Sequence, residues 1–433
     1  MEQEGKNMVQ FLMEEDLYHP NIDIDFLMDE FIDDLEQGLC GNIKSLLAIP
    51  TYMEVKDSFP VNKSIIVMDA GGTNFRIALV TFDNGRRPII EELKKYPMPG
   101  SEGTISKTFF LNTIIHYMQP YLEKSDEVGF CFSFPTEILP NLDGRLLGFN
   151  KEIRVSGSEG MIVGEALNAI LRARKESEKH FVLLNDTVAT LFSGIADGHE
   201  KKYSGYIGLI LGTGTNTCYI ESCSNITKIK SPAKKMTINL ESGGWNGVKQ
   251  CALDKILDDA TDNPGDHIFE KMVSGAYLGD LILLAVQKAA NQGCFSESFK
   301  ACISELKHLS METINAFCSY SYEEFALSNA VKGSRADWQA LLILIDSLLS
   351  RAAKLVAINI CSIIKKTGTK SEKEHPVCVI AEGSFIQYFQ LFKEKLIEHL
   401  EKIEESHSVF VELVHIDNAT IVGTAIAGLM NAN

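Results

Sequence analysis

The sequence predicts an α/β fold made of two similar lobes. Apolar runs typical of buried strands alternate with segments of helical spacing, and this alternation is typical of the α/β class. One motif also occurs twice: an apolar strand, a glycine turn that ends in Thr-Asn, and a second apolar strand. The copies begin near residues 65 and 205, too far apart for a solenoid repeat, so we expect two lobes instead.

The first copy of this motif occupies residues 65–80. Its turn contains two glycines, a threonine and an asparagine, with Asp69 before it and Arg76 after it. Glycines let backbone N–H groups turn toward an anion, and the Thr and Asn side chains add donors. These groups suit a phosphate–metal site on a β-hairpin, in which Asp69 holds a cation or its water. An ordinary glycine hairpin is the alternative that this motif alone leaves open.

The second copy occupies residues 205–220, where two apolar strands flank Gly212-Thr213-Gly214-Thr215-Asn216. Because the same strand–turn–strand pattern recurs, an accidental hairpin becomes a weaker explanation of either copy. We interpret the pair as two lobes, each of which offers one loop to a shared phosphate chain.

Composition argues against several function classes. The 433 residues are enough for two domains with a core each, and 45% hydrophobic and 23% charged residues are ordinary for a globular protein. The net charge of -17 at pH 7 argues against a nucleic-acid partner and against an anionic membrane surface. A bound nucleotide therefore needs local positive potential from backbone amides, a few Lys or Arg side chains, and Mg2+.

The pattern of cysteines predicts a cytoplasmic protein. The ten cysteines are scattered without a C-x-x-C pair, as reduced core thiols are. The polar N-terminus shows no secretory signal, and no apolar run approaches the roughly eighteen residues of a transmembrane helix. We expect a cytoplasmic protein with no membrane partner.

The N-terminal half of the chain begins with helical spacing over residues 7–48, which we expect to end at 49–52. Pro60 then leads into the first core strand. The elements predicted downstream are a continuation of the sheet over 81–99, a helix over 108–119, a strand over 128–134, a hairpin at 142–147, a helix over 164–175 and a buried strand over 181–184.

The C-terminal half is mostly helical from residue 250 to 366, with a long buried helical region over 340–366. No low-complexity linker interrupts the chain, so we expect the lobes to join through short hinges. The remaining predicted elements are a strand over 376–381, a helix over 388–401, a strand over 409–414 and a closing helix over 420–430.

Candidate catalytic side chains follow predicted strands, because open α/β sheets bind ligands there. Asn185-Asp186 offers an amide and a carboxylate, and that carboxylate can accept the proton of an attacking hydroxyl. The alternative role is a helix N-cap, in which Asp186 or Thr187 caps a helix that starts at Val188.

Four further side chains are candidates for binding. Glu241 and Glu270 are each, taken alone, more typical of solvated surface charges than of ligands. Ser133 and Lys151 complete a set of groups that can hydrogen-bond several hydroxyls of a sugar.

An ordered set of motifs then carries a family resemblance. The set is Asp-Ala-Gly-Gly-Thr-Asn-Phe-Arg (69–76), Phe-Ser-Phe-Pro (132–135), Gly-Phe-Asn-Lys (148–151), Leu-Asn-Asp-Thr-Val-Ala-Thr (184–190), Gly-Thr-Gly-Thr-Asn (212–216) and Ile-Asn-Leu-Glu (238–241). With these motifs the chain resembles a hexokinase of the single-unit size. Matches at 45–52, 269–277, 350–355 and 382–384 extend the resemblance to nearly the whole length.

The resemblance implies roles for individual residues. Asp186, assisted by Lys151, is the catalytic base for the sugar 6-hydroxyl. The implied hexose site comprises Ser133, Phe134, Asn150, Lys151, Asn185, Asp186, Asn216, Asn239, Glu241 and Glu270. The implied ATP site comprises Asp69, Ala70, Gly71, Gly72, Thr73, Asn74, Arg76, Gly212, Thr213, Gly214, Thr215, Gly383 and Ser384. Mg2+ arrives with ATP and takes no direct protein ligand, although Asp69 can contact it through water.

The resemblance also implies a fold. It is the two-lobe actin-like ATPase fold, a duplicated ribonuclease-H-like unit with a cleft between a small domain and a larger, helix-rich one. The small domain is then 63–187 with 420–433, and the large domain is 1–62 with 188–419.

The chain departs from the family pattern at five positions. Phe149 and Asn150 replace a tryptophan and a threonine, Ser242 replaces a tryptophan, Ala276 a larger side chain and Glu382 an aspartate. These changes affect the expected hexose specificity and nucleotide affinity, but they leave the base and the glycine turns intact.

Two alternatives remain open. One is a sugar-binding regulatory protein of the same fold with little kinase activity. The other is a different member of the two-lobe ATPase class: an actin-like filament protein, a chaperone ATPase, or a kinase of a non-hexose substrate. The sequence leaves open whether the protein is a monomer or a homodimer.

Overall fold

The computed structural model describes residues 2–149, 153–196, 203–319 and 326–432. Its strands, numbered in chain order, are β1 Ile49–Glu54, β2 Ile65–Ala70, β3 Asn74–Phe82, β4 Pro88–Pro97, β5 Ile105–Ser106, β6 Glu127–Phe132, β7 Thr136–Ile138, β8 Gly144–Leu146, β9 Val155–Ser156, β10 His180–Leu184, β11 Gly205–Leu211, β12 Thr215–Ser222, β13 Lys235–Asn239, β14 Val377–Glu382 and β15 Val411–Val414.

The helices are numbered in the same way. They are α1 Glu2–Glu14, α2 Ile24–Cys40, α3 Lys107–Met118, α4 Val163–Ala173, α5 Asp186–Ala196, α6 Ala252–Asp259, α7 Ile268–Val273, α8 Gly275–Asn291, α9 Glu297–Ser304, α10 Met311–Cys318, α11 Ala326–Ala330, α12 Arg335–Thr367, α13 Ser384–Tyr388, α14 Gln390–His407 and α15 Ala419–Asn431. Single 3-10 turns lie at His19–Asn21, Gln119–Tyr121, Cys223–Asn225 and Ser242–Gly244.

The two principal sheets repeat one strand order. The first runs β10-β6-β2-β3-β4, and the second runs β15-β14-β11-β12-β13 with β1 added beyond β13. In each sheet an antiparallel hairpin, β2–β3 or β11–β12, has one more antiparallel strand on one side and two parallel strands on the other. This shared order confirms the prediction of two similar lobes.

Helices α5 and α15 lie between the sheets, and each packs on the sheet of the other half. Gly208 of β11 lies so close to α5 that a Cβ atom there would be 2.5 Å from the helix backbone, and Gly129 of β6 lies similarly close to α15, at 2.7 Å. The helices themselves touch at Gly423, where a Cβ atom would lie 1.7 Å from the carbonyl oxygen of Ala189. Glycine is therefore required where α5 and α15 touch. The predicted domain boundaries stay a prediction.

The longest described helix, α12, lies at the centre of the hydrophobic core that also contains α1, α2, α8 and α14. Ser334 caps its start by accepting a hydrogen bond from the N–H of Asp337, and Gly368 ends it in the left-handed conformation. The helix packs against α1, α2, α8 and α14, and most of its side chains are buried. The prediction of a buried helical region at 340–366 is therefore confirmed, and the helix starts five residues earlier, at Arg335.

Residues 49–52, predicted as the end of a helical region, instead belong to strand β1. Ile49 pairs with Asn239 and Pro50 with Ile238 of β13. Because β13 is distant in sequence, local spacing carries no sign of this pairing.

The described helices are all too short or too polar to cross a lipid bilayer. None of the ten cysteines, all of which lie in the described segments, forms a disulfide. Five of them are buried, and Cys40 and Cys302 are exposed, so the prediction of core thiols holds for only part of the set.

Candidate active site

The carboxyl ends of β2, β6 and β10 meet at one edge of the first sheet. Asp69, Cys131 and Leu184 are neighbours in the register of these strands. The N–H of Ser133 donates to the last carbonyl oxygen of β2 at 3.2 Å. The first glycine turn, Ser133 and the Asn185-Asp186 pair therefore emerge at the same edge, as their positions after strands predicted.

The first glycine turn closes the β2–β3 hairpin and lies beside a cavity. The N–H of Gly71 donates to the carbonyl oxygen of Asn74 at 3.0 Å. The cavity has a volume of about 400 Å³ and is lined by Gly72, Thr73, Asn74, Lys95, Tyr96, Pro97, Ser101 and Glu102. No local motif marks Lys95, because only the pairing of β4 with β3 places it opposite Arg76. Lys95 thus contributes a cationic residue to the lining of this cavity.

Asp69 is held in an ion pair. The Nε atom of Arg76 donates to Oδ2 of Asp69 at 2.9 Å, and Nη2 contacts the same oxygen. Nη2 also donates to Oγ1 of Thr420, which lies at the start of α15. Among the residues that the structure describes, no cluster of His, Cys, Asp and Glu side chains is arranged to hold a metal ion. The contact of Asp69 with a metal-bound water stays a prediction.

Asp186 is the first residue of α5, and its neighbour caps the helix. Oδ1 of Asn185 accepts a hydrogen bond from the N–H of Thr187 at 2.9 Å. Oδ1 of Asp186 accepts from the same N–H at 2.7 Å and from the Thr187 hydroxyl at 3.2 Å. The predicted helix start at Val188 is therefore wrong by two residues, because Asn185 begins the capping.

The second glycine turn is held from outside by the segment that contains α7 and the start of α8. The N–H of Thr215 donates to Oε2 of Glu270 at 2.8 Å. The N–H of Gly275 donates to the carbonyl oxygen of Gly212 at 2.9 Å, and that of Ala276 donates to Thr213 at 3.3 Å. Ala276, one of the departures from the family pattern, therefore contacts this turn through its backbone.

Gly383 and Ser384 lie against the same turn, as expected for the two ATP-site residues after β14. A Cβ atom on Gly383 would lie 2.5 Å from the carbonyl oxygen of Leu211, and Gly383 has a φ of 118°. Glycine is therefore required at residue 383. Ser384 is close to the turn as well, because a Cβ atom on Gly212 would lie 3.3 Å from the backbone nitrogen of Ser384.

The carboxylate of Glu382 is held just beyond this contact. Oε1 of Glu382 hydrogen-bonds Nδ1 of His415 at 2.8 Å, and Oε2 accepts from Nε2 of Gln387 at 2.6 Å. Burial raises the pKa of Glu382, and the hydrogen bonds partly oppose that shift.

On the side predicted to bind hexose, three polar side chains form a chain of hydrogen bonds. Nδ2 of Asn216 donates to Oδ1 of Asn239 at 2.7 Å, and Nδ2 of Asn239 donates to Oε1 of Glu241 at 2.7 Å. Glu241 has a φ of 54°, an uncommon conformation for a residue other than glycine. The hydrogen bonds fix the direction of its carboxylate.

Taken alone in the sequence, Glu241 and Glu270 are each more typical of a solvated surface charge. The structure shows that this interpretation is wrong for both. Burial raises the pKa of Glu241, and the negative charges of Asp186 and Glu270 raise it further. Burial also raises the pKa of Glu270. Asp186 and Glu270 therefore both lie within electrostatic reach of Glu241.

An aromatic cluster supports the end of β6. The ring of Phe134 packs between Phe132 and Phe149, at centroid distances of 5.0 and 4.9 Å. Phe134 is 4% exposed, so its ring belongs to the core beneath the predicted hexose site. Phe149 ends the described segment; Asn150 and Lys151, both predicted for the hexose site, lie outside the described residues.

Ser242, which replaces the usual tryptophan, belongs to a buried polar chain. Its Oγ lies 2.9 Å from Oγ1 of Thr217, which in turn donates to Oδ1 of Asn359 of α12 at 3.2 Å. The N–H of Ser242 donates to Oδ1 of Asn216 at 3.3 Å. The small side chain thus links the hexose-side amides to the long helix.

Comparison with known proteins gives consistent matches. A family model described as hexokinase matches residues 12–196, and another of the same description matches residues 206–430. Hexokinase-3 of Mus musculus is 34% identical over 267 residues, which cover 59% of this chain and 28% of that protein. Hexokinase-1 of Spinacia oleracea is 28% identical over 395 residues, covering 83% of this chain and 77% of that protein. The aligned part of this chain thus spans well under half of the mouse relative.

Two solved structures share the fold. A hexokinase from Schistosoma mansoni complexed with glucose superposes with a TM-score of 0.76 at 23% identity, covering 99% of both chains. A crystal structure of a hexokinase gives a TM-score of 0.78 at 20% identity, covering 99% of this chain and 100% of the other. These likenesses confirm the predicted two-lobe, actin-like fold class.

Proposed function

The chain belongs to the hexokinase family, and from this premise we propose that it transfers the γ-phosphoryl group of MgATP to the 6-hydroxyl of a hexose. Glucose is the proposed hexose. The observation that carries the proposal is the hydrogen bond from the N–H of Thr215 to Glu270, which ties a carboxylate of the predicted hexose site to the second glycine turn. A carboxylate cluster for a polyol and a loop for phosphate therefore share one residue.

In the proposed reaction Asp186 acts as the general base. The 6-hydroxyl oxygen forms a bond to the γ-phosphorus, the bond from that phosphorus to the β,γ-bridging oxygen breaks, and the hydroxyl proton passes to the Asp186 carboxylate. The hydrogen bonds from Thr187 to Oδ1 support this role, because they fix the direction of the carboxylate before substrate arrives.

The hexose would be held by hydrogen bonds from both lobes. Glu241 and Glu270 would accept from sugar hydroxyls, and the side-chain amides of Asn185, Asn216 and Asn239 can donate as well as accept. The remaining proposed contacts are Ser133, Phe134, Asn150 and Lys151. Lys151 would also assist the reaction with its positive charge.

The triphosphate would lie between the two glycine turns. Backbone N–H groups of residues 70–74 and 212–215, with Arg76 and Lys95 nearby, supply positive potential in an acidic protein. Mg2+ bound to ATP would neutralise charge on the phosphate oxygens, with Asp69 as the candidate contact through water. Gly383 and Ser384 would contact the adenosine.

Closure of the lobes around the sugar would protect the reaction from water. Water can replace the 6-hydroxyl as nucleophile, so a site completed only when sugar is bound suppresses ATP hydrolysis. We place this proposed motion at the contact of α5 with α15, which lies between the two sheets.

A coupled assay that measures ADP formation with ATP, Mg2+ and a panel of sugars tests the proposal. We expect turnover that depends on a hexose, with only slow ATP hydrolysis when sugar is absent. Sugar binding without turnover for every hexose of the panel would contradict the proposal and would favour a sugar-binding regulatory protein.

A further inference from the structure

Glu270 lies at the point where the predicted hexose site meets the second glycine turn. Its Oε2 atom accepts the hydrogen bond from the N–H of Thr215 at 2.8 Å. Its Oε1 atom makes no hydrogen bond within the described part of the chain. One carboxylate oxygen is thus committed to the turn, while the other is left for a ligand.

The Glu270 side chain fits here because two residues packed against it, Gly214 and Gly243, are glycines. A Cβ atom on Gly214 would lie 2.4 Å from Oε2 of Glu270, and one on Gly243 would lie 3.2 Å from the Glu270 Cβ atom. Separations below about 3 Å between nonbonded carbon and oxygen are repulsive, so a methyl group at Gly214 would displace the carboxylate from Thr215. The fit between Glu270 and the turn is therefore close on two sides.

The helix that carries Glu270 is anchored independently of the turn. Nζ of Lys271 donates to Oδ1 of Asp258 at 2.6 Å and to the carbonyl oxygen of Asn263 at 2.7 Å. The Lys271–Asp258 pair is buried, with side-chain exposures of 2% and 8%. The N–H of Phe269 also donates to the carbonyl oxygen of Trp245 at 3.1 Å. Glu270 therefore projects from a fixed support, and it is the turn that it constrains.

We propose that Glu270 is a positioning residue for the nucleotide: it holds the 212–215 turn in its phosphate-binding shape through Thr215 and so couples nucleotide affinity to hexose binding. The identities of the two ligands rest on the proposed function. A hexose hydroxyl bound to Oε1 would restrict the carboxylate and with it the turn. By thermodynamic linkage, the sugar and the nucleotide then raise the affinity for each other by the same factor.

The test compares two carboxylates of the predicted hexose site, of which only Glu270 accepts a hydrogen bond from the backbone of the turn. We would measure binding of the non-hydrolysable analogue AMPPNP with Mg2+ by titration calorimetry, with and without glucose. The proteins are the wild type, Glu270→Ala, Glu270→Gln and Glu241→Ala, each checked for an unchanged thermal transition. Glu270→Gln is the conservative variant, because its amide oxygen can still accept from the N–H of Thr215.

We expect Glu270→Ala to weaken sugar-free AMPPNP binding about tenfold, the effect of losing one hydrogen bond to the backbone of the turn. Glu270→Gln should stay within about threefold of the wild type. Glu241→Ala should weaken glucose binding but leave the sugar-free AMPPNP affinity near the wild-type value, since the Glu241 carboxylate contacts only the side chain of Asn216 and no backbone group of residues 212–215. Glucose should no longer raise AMPPNP affinity in Glu270→Ala.

Sugar-free AMPPNP affinity that is unchanged in Glu270→Ala, or reduced equally in Glu241→Ala, would overturn the inference. The same holds if Glu270→Gln is as weak as Glu270→Ala, because a lost charge would then explain both. Failure of the proposed function would give a different result: the wild-type protein would bind AMPPNP but would phosphorylate no hexose.

Discussion

Asn185 and Asp186 share one backbone donor, the N–H of Thr187, which lies 2.9 Å from Oδ1 of Asn185 and 2.7 Å from Oδ1 of Asp186. The side-chain amide of Asn185 caps helix α5, and the same N–H orients the carboxylate of Asp186. A helix end and a candidate catalytic base are therefore built from the same three residues. The sequence alternative of an N-cap at Asp186 or Thr187 is wrong, because the capping residue is Asn185, and this cap is compatible with a catalytic role for Asp186.

The first prediction separates these two roles. Asp186→Ala should lower kcat for hexose phosphorylation by about a hundredfold to ten-thousandfold, because the attacking hydroxyl loses its base. Asp186→Asn should lose as much activity, since its amide oxygen can still accept from Thr187 but cannot take the proton. Glucose affinity, measured by titration calorimetry, should change little in either variant. Near-normal turnover of Asp186→Asn would show that the residue has only a structural role.

The second prediction concerns the cavity beside the first glycine turn. Lys95→Ala should raise the KM for ATP about three- to tenfold at low ionic strength, because it removes a cationic residue that lines the same cavity as Gly72 and Thr73. The effect should shrink as salt is added, since an exposed charge is screened. Initial rates at varied ATP and varied NaCl measure both.

Lys94→Ala is the matched control for this experiment. Lys94 is the preceding residue of β4 and points to the other face of the strand, where its Nζ lies 5.8 Å from the centre of the Tyr121 ring. Like Lys95→Ala, the Lys94→Ala variant removes one positive charge from β4, but it does so at a residue that is not part of the cavity lining. An equal rise in KM for both variants would mean that overall charge, and not the cavity, determines the effect.

Much of the fold and of the candidate site is visible in the sequence, because the informative signals are local. The two glycine turns, the strand before Asn185-Asp186 and the long helix α12 each follow from spacing within a few residues. The elements that local spacing does not predict depend on distant partners. Strand β1 exists through its pairing with β13, and Lys95 lines the same cavity as Gly72 because β4 pairs with β3.

The burial of Glu241 and Glu270 shows the same limit. A glutamate in a polar sequence is typical of a solvated surface, and only the contact of Glu270 with the second turn makes this side chain half-buried. The contact of Arg76 with Thr420 joins residues from opposite ends of the chain. Such contacts depend on how the two lobes are assembled, which no short motif encodes.

The third prediction is a pH dependence of stability that arises far from the candidate active site. Burial lowers the pKa of His19 and of His399 from the ordinary value of 6.5 to about 4. The Nε2 atom of His399 shares a hydrogen bond with the hydroxyl of Ser350 at 2.8 Å, and its ring contacts His19 edge-on. The positive charges of Lys354 and Lys402 oppose protonation of both rings.

Because the unfolded chain binds these protons more readily than the folded chain, their contribution to the free energy of unfolding is full above pH 6.5 and is lost as the pH falls toward 4. Urea unfolding at pH 7.5 and at pH 5 measures the change. We expect His399→Gln to lose less stability between these values than the wild type. The exposed His116 provides the control, and His116→Gln should keep the wild-type dependence. If His399→Gln also keeps it, burial of His399 does not drive the acid sensitivity.

The fourth prediction concerns the contact between α5 and α15, on which both sheets depend. Gly423→Ala would place a methyl group 1.7 Å from the carbonyl oxygen of Ala189, so the two helices must separate. We expect the free energy of unfolding to fall by at least about 2 kcal/mol, because overpacking destabilises a rigid core.

Gly205→Ala is the control, because the atom nearest to its Cβ position, Cγ2 of Thr369, lies at an ordinary 3.4 Å. It should stay within about 0.5 kcal/mol of the wild type in urea unfolding. Equal stability of the two variants would mean that α5 and α15 are not packed as closely as described, and the joint between the lobes would then need a different explanation.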